Sequence, residues 1–265
     1  TPKPSSAASD VYKRQSKHHW ENVWKFSNNK ESYNFPPSRI ERAKDKLKTF
    51  IYNEYYFSPG DKVLEAGCGD GAILFKLIEK YKIEGHGIDI SENTKSIATE
   101  YMIKTGIKFK YVIGDVQKLP YPQNTFDTVI SLGVIEHFLN PDKVMNEMYR
   151  VLKTNGHLIL MTPNKYSFGI LDKKIKILLK VWKFGYQTEY SVNNLEEIAN
   201  KYGFKVVSRN TELRKTFKND SISFKLISSI DQILNVFNKN FGFYSYIYLI
   251  KEVDINDYKS YQTSI

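Results

Sequence analysis

The run Val63-Leu64-Glu65-Ala66-Gly67-Cys68-Gly69-Asp70-Gly71 constrains the fold of this chain more than any other stretch. It starts as an apolar strand, turns through glycines at alternate positions, and passes directly into Ala72-Ile73-Leu74-Phe75-Lys76-Leu77-Ile78, whose apolar residues have helical spacing. A strand, a glycine turn and a helix start make a ligand cradle, because glycine lets backbone approach closely and the first helical turn has unpaired N–H groups.

Two cofactor classes fit such a cradle. Gly67, Gly69 and Ala72 satisfy the dinucleotide pattern G-x-G-x-x-[GA], and Asp89 follows about 20 residues on, where a ribose ligand belongs. An NAD(P)-dependent oxidoreductase is therefore one reading. Charge opposes it: a pyrophosphate wants a neutral or basic cradle, whereas this one carries Glu65 and Asp70 with no Lys or Arg between Val63 and Phe75. An acidic loop suits a cationic ligand. S-adenosylmethionine carries a sulfonium and an ammonium, and a second carboxylate can hold its ribose.

The rest of the chain supplies a sheet around that loop. Glu84 to Asp89 reads as a second strand ending in an acid, followed by a helix from Glu92 to Lys104 that Ser91 caps. Lys108 to Ile113 makes a third strand with Asp115 just beyond it, and Phe126 to Ser131 a fourth. A helix opens at Pro141, and Gly156 to Met161 is a fifth strand. Strand and helix alternate, so the expected fold is α/β, doubly wound and Rossmann-like, with the ligand crevice outside the carboxyl ends of the strands. Glu65, Asp89, Asp115 and the segment Leu132 to His137 all fall at that edge.

Six blocks in this order resemble the class I S-adenosylmethionine-dependent methyltransferases, in particular the small-molecule (type 11) group that includes ubiquinone-biosynthesis methyltransferases. They are Val63 to Gly71, Gly87-Ile88-Asp89-Ile90-Ser91, Gly114 to Pro120, Phe126 to Ser131, Val134-Ile135-Glu136-His137 and Arg150 to His157. The resemblance implies a seven-stranded sheet of order 3-2-1-4-5-7-6, with strand 7 antiparallel and the other strands parallel. It also implies that Glu65 and the backbone of Gly67, Cys68, Gly69 and Gly71 surround the methionine moiety. Asp89, with Ile90 beside it, is expected to hold the ribose, Asp115 the adenine amine with Val116 against the ring, and Leu132 and Gly133 the methyl-donor end. Asp115 could instead cap a turn, and Asp127, at a strand start, is expected to satisfy backbone donors. The small Cys68 is read chiefly as packing within its turn.

Methyl transfer from sulfonium is an in-line displacement that loses charge at sulfur, so the protein mainly positions the acceptor and excludes water. A hydroxyl acceptor still benefits from a base. His137, just past the fourth strand, is the candidate; its bland alternative is to cap the next turn or orient Glu136. Transfer to a hydroxyl oxygen of a small-molecule, sugar or lipid-linked acceptor is favoured over N- or C-methylation, and a non-catalytic cofactor-binding protein is the non-enzyme alternative. No metal site is expected, since His18, His19, His86 and His157 have no ligand spacing with acids. A nucleic-acid substrate is disfavoured, because Ser131-Leu132-Gly133-Val134 stands where base-methylating amino-group enzymes carry a [DNS]-P-P-[YF] run.

Residues 1–16 look like an appended linker and are expected to be disordered, and 254–265 to fray. Residues 17–58 form a helical cap, with a helix from Ser38 to about Phe57; Trp20 and Trp24 pack on the sheet or touch substrate. The methyltransferase domain is placed at 59–253. Within it, an insertion at 165–190 forms a basic amphipathic helix, with Leu171, Ile175, Leu178, Leu179 and Trp182 on one face. In the resembling family that region forms the acceptor lid. It either packs on the body or meets a membrane surface through 170–183. Helices at Val192 to Tyr202 and Ser221 to Phe237 and a last strand at Phe243 to Val253 complete the chain. The single cysteine excludes an intramolecular disulfide, and a cytoplasmic location is expected. The net charge of +10 is spread among Asn, Ile and Tyr along the chain, which reads as residue bias and not as a polyanion-binding patch. The oligomeric state is not legible.

Overall fold

The computed structural model describes residues 17–24, 37–51, 57–216 and 222–252. The expectations for residues 1–16, for the parts 25–36 and 52–56 of the helical cap, and for 254–265 lie outside the described residues.

The chain runs α1 (17–24), α2 (Pro37–Phe50), β1 (Lys62–Ala66), α3 (Ala72–Tyr81), β2 (Glu84–Asp89), α4 (Glu92–Thr105), β3 (Lys110–Ile113) and β4 (Phe126–Leu132). A 3-10 turn at Ile135–His137 follows, then α5 (Asp142–Val151), β5 (Leu152–Pro163), α6 (Gly169–Leu178), α7 (Val192–Lys201), β6 (Phe204–Glu212), α8 (Ile222–Phe237) and β7 (Tyr244–Lys251). The seven strands form one sheet of order β3-β2-β1-β4-β5-β7-β6, in which β7 alone runs antiparallel to its neighbours β5 and β6. This is the expected Rossmann-like architecture.

Alternation of side chains along the central strands divides the core in two. Leu64, Val129, Leu158, Leu160, Ile247 and Leu249 point to one face, where α5 and α7 bury Val144, Met148, Leu195 and Ala199 on them. Val63, Ile130, Ile159, Met161, Tyr246 and Tyr248 point to the other, beneath Leu47 of α2 and Leu74 and Leu77 of α3. Because both faces are covered, the central strands read as continuous apolar runs. The order reverses between β1 and β4, and the crevice opens there at the carboxyl ends.

Several boundaries differ from the sequence reading. The α2 helix begins at Pro37, which sets the first helical φ, and ends at Phe50. The strand expected at 156–161 is longer, Leu152–Pro163. Ser91 occupies the N-cap position of α4 without making a cap bond. Its hydroxyl donates instead to Glu21 Oε2, and the Glu21 carboxylate accepts the Glu92 N–H at 2.6 Å and the Asn93 Nδ2 amide at 2.6 Å. A carboxylate from α1 therefore caps α4, neutralising the positive end of its dipole and tying α1 across the crevice.

Asn164 bridges to Tyr190, and the Lys165 N–H donates to the Tyr190 carbonyl, so the loop leaves and re-enters the body at one point. Inside it, helix covers only Gly169–Leu178; Trp182 lies beyond the helix, donating Nε1–H to the Gly185 carbonyl at 2.8 Å.

Candidate functional site

A cavity of about 1470 Å³ lies over the carboxyl ends of β1, β2 and β4. Drug-sized pockets run to about 1,000 Å³. This one has room for a nucleoside cofactor and an acceptor together.

Its cofactor half is built from strand ends. Glu65, Gly67, Cys68, Gly69, Asp70, Asp89, Ile90, Asp115, Val116, Leu132 and Gly133 all line it. Gly71 does not; it sits at φ 76° as the residue before α3, where a Cβ would come within 2.4 Å of the Phe109 ring. Its role is thus to let the loop enter the helix. Gly69, at φ 52°, lies under Trp24, whose ring a Cβ would meet at 2.9 Å.

Asp89 is partly buried, and burial raises its carboxyl above the usual range against backbone bonds that lower it. Oδ2 accepts the Gly69 N–H at 2.8 Å and Oδ1 the Ser91 N–H at 3.0 Å, so each oxygen keeps capacity for a second donor. The other end of the Gly69 peptide is held too: the Tyr111 hydroxyl donates to the Gly69 carbonyl at 2.6 Å. Asp115 lines the cavity while also accepting the Gln117 N–H at 2.9 Å. Asp127 serves structure as expected, taking the Lys62 N–H at 2.9 Å and the Lys153 ammonium at 2.6 Å. Cys68 is buried, and burial pushes its thiol up, which leaves it unreactive.

Two carboxyls face the cavity with a buried oxygen that no group among the described residues satisfies: Glu65 Oε2 and Glu136 Oε2. Burial raises Glu65 well above the ordinary carboxylate range and Glu136 to about 8. Buried orphan acceptors are costly, so a cavity that holds two is shaped for hydrogen-bond donors or cations. These residues fit S-adenosylmethionine: the Glu65 and Asp89 carboxyls can accept from an ammonium and from ribose hydroxyls, and the glycine turn leaves room for backbone contact.

His137 stands at the acceptor half. Its Nδ1 bonds to the Tyr186 carbonyl at 2.9 Å, so that nitrogen carries the proton and Nε2 the lone pair. Burial lowers its pKa to about 4, keeping the ring neutral. Trp20 packs edge-on against it with ring centroids 4.8 Å apart. Trp20 and Trp24 both line the cavity.

The sequence reading missed several wall residues. Arg42 and Lys46 come from α2, and burial lowers the Lys46 ammonium despite Glu65 and Glu136 nearby. The lid contributes Lys173, Lys176 and Lys183, and Arg214 reaches in from beyond β6. Lys173 pairs with Glu189 and Lys176 with Asp172. The cavity is acidic at the strand ends and basic under the lid. Lys173, Lys176 and Lys183 carried a sequence signal as part of the basic amphipathic segment expected at 165–190, and Glu136 as the neighbour of His137. Among the described residues, no group of three His, Cys, Asp or Glu could hold a metal ion.

Comparison with known proteins agrees with this geometry. A family profile described as a methyltransferase domain matches residues 57–201. Phosphoethanolamine N-methyltransferase 2 of Caenorhabditis elegans is 31% identical over 152 residues, 56% of this chain and 33% of that protein. A sterol 4-C-methyltransferase of the same organism is 28% identical over 190 residues, 70% of this chain and 56% of the relative. The chain therefore spans between a third and just over half of these relatives. The solved phosphoethanolamine N-methyltransferase 2 of Haemonchus contortus, in complex with phosphomonomethylethanolamine and S-adenosylhomocysteine, superposes with a TM-score of 0.59 at 18% identity, over 96% of this chain and 62% of that one. At that identity the likeness is one of fold.

Proposed function

Starting from the fact that the chain belongs to the methyltransferase-domain family, we propose that it transfers a methyl group from S-adenosylmethionine to a hydroxyl oxygen of a small-molecule, sugar or lipid-linked acceptor. The observation that carries the reading is the acidic, glycine-lined half of the cavity, with Asp89 braced by the Gly69 and Ser91 amides and Glu65 presenting an unsatisfied buried oxygen. The same acids oppose a dinucleotide pyrophosphate, so the oxidoreductase alternative loses both its electrostatics and its family support.

When bound, S-adenosylmethionine supplies an electrophilic methyl on a positively charged sulfur. The chain has three tasks. Glu65, Asp89 and Asp115 orient the cofactor through its ammonium, ribose and adenine amine. Trp20, Trp24 and the lid cover the crevice and keep water out. His137 Nε2, unprotonated by the Nδ1 bond to Tyr186, would accept the proton of the acceptor hydroxyl.

A second reading has one observation behind it. Glu136 aims an unsatisfied buried oxygen into the acceptor half. It would suit an amine, and the relatives' names include N-methyltransferases. The lid at 170–183 would meet a membrane surface if the acceptor is lipid-linked. The test is calorimetric titration with S-adenosylhomocysteine and then NADH, followed by labelled-methyl transfer to the aqueous and lipid phases of a cell extract. Label in a methyl ether supports oxygen transfer, label in an amine supports the second reading, and no transfer with intact cofactor binding supports a non-catalytic role.

A further inference from the structure

Helices α6 and α8 bury polar side chains and leave large apolar ones exposed, although Phe224 and Ile227 of α8 are buried as well. On α8, Ser228, Asp231 and Asn235 are buried while Leu226, Ile230, Ile233 and Phe237, spaced four, three and four apart, are exposed. On α6, Asp172 is buried while Leu171, Ile175 and Leu178 are exposed. The buried acid of α8 has a structural reason to face in: Asp231 accepts the Ser167 hydroxyl at 2.7 Å and the Phe168 N–H at 2.8 Å at the start of α6. The helices pack on one another. Leu178 and Phe237 reach 81% and 82% exposure. An apolar face of this kind marks an interaction site.

Charge says what meets it. From Gly169 to Thr188 and from Ile222 to Gly242 the only acids are Asp172 and Asp231, both buried. Lys174, Lys180, Lys183 and Lys239 are exposed beside the apolar stripes. A second copy would bring like charges together. A bilayer with anionic headgroups accepts the apolar side chains and attracts the lysines.

We propose that α6 and α8 form a two-helix platform that seats the protein on an anionic lipid surface, so that the acceptor enters the cavity from the lipid phase. The proposal rests on reading 165–190 as the acceptor lid, and it adds α8 as an equal partner. The cavity runs beneath both helices, with Ile170, Lys173 and Lys176 of α6 and Phe224 of α8 in its wall.

The test uses the full chain with two vesicle types, phosphatidylcholine alone and phosphatidylcholine containing phosphatidylglycerol, in a flotation assay. The protein is expected to partition onto the anionic vesicles. Leu178→Asp with Phe237→Asp lowers that partitioning at least tenfold, and Lys174→Gln with Lys180→Gln lowers it about fivefold per lysine. Calorimetry with S-adenosylhomocysteine is unchanged in both variants, since none of these side chains lines the cavity. Failure of the parent chain to partition, or parent-like partitioning of both variants, overturns the proposal. A dimer on gel filtration that the aspartate variant splits also overturns it, assigning the face to a second copy. Absence of S-adenosylhomocysteine binding in a chain that partitions would instead strike the methyltransferase reading alone.

Discussion

The Asp89 carboxylate holds the Gly69 backbone N–H at 2.8 Å, so the acid that ends β2 and the middle glycine of the β1 loop form one rigid unit. With the Tyr111 hydroxyl on the Gly69 carbonyl, the peptide that approaches the cofactor is fixed at both ends before anything binds. Such preorganisation spares the cofactor the cost of ordering its own loop.

Replacing Asp89 by alanine removes both the ribose acceptor and the brace on Gly69. A charge-assisted hydrogen bond contributes about 1.5–3 kcal/mol. The dissociation constant of S-adenosylhomocysteine, measured by calorimetry, is expected to rise more than tenfold. An unchanged constant would refute the ribose assignment.

His137→Ala is expected to lower turnover about 100-fold, the lower end for a general base, while leaving cofactor affinity as it was. Single-turnover kinetics with the identified acceptor check this. An unaltered rate removes His137 as the base and favours an amine, which attacks through its own lone pair.

Asn164 pins the root of the lid and is almost wholly buried. Its amide nitrogen donates to the Asn240 and Gly242 carbonyls at 2.7 and 2.8 Å, and its oxygen accepts the Ser245 hydroxyl at 3.0 Å. Alanine there leaves two carbonyls and a hydroxyl without a partner. The expected loss is about 3 kcal/mol of stability, given about 1–3 kcal/mol per orphaned buried group. Urea unfolding of the cofactor-free chain measures it.

The parts of the site legible in the sequence are those that strand register determines. Glu65 and Asp89 stand at the carboxyl ends of β1 and β2 and Asp115 just beyond β3, and the parallel register places such residues along one edge. Trp24, Lys46 and Arg214 could not be placed that way, because their positions depend on how α1, α2 and the segment after β6 dock from far away in the chain. The Glu21 cap of α4 was hidden for the same reason; Ser91 satisfies the local rule, and a carboxylate from 70 residues earlier takes its place. Periodicity found the apolar stripe of α6 and left open whether it packs on the body or meets a membrane surface; Leu171, Ile175 and Leu178 are exposed. Asp231 fixes the facing of α8 through Ser167 and Phe168 at the start of α6, while Asp172 pairs with Lys176 one turn along its own helix.

The pH dependence of stability follows from Glu136 and His137, whose shifts act in opposite windows. His137 has a folded pKa of about 4 against 6.5 for the free side chain, so the unfolded chain takes up the proton first as pH falls. Its contribution is full above pH 6.5 and is lost between 6.5 and about 4. Glu136 has a folded pKa of about 8 against 4.5, so the folded chain keeps a proton that the unfolded chain releases. Its contribution is full below pH 4.5 and is lost as pH rises to about 8. Between pH 4.5 and 6.5 the two slopes offset each other; above 6.5 only the Glu136 loss remains, about 2 kcal/mol over the last 1.5 pH units. Glu65, raised by the same burial, adds to that decline, while Lys46 and Lys173 beside Glu136 reduce it. Glu136→Gln keeps the shape and removes the titration, so the difference in unfolding free energy between parent and variant should grow in favour of the variant from pH 6.5 to 8. Urea midpoints across that range decide it, and parallel curves would show that Glu136 is already ionised at neutral pH.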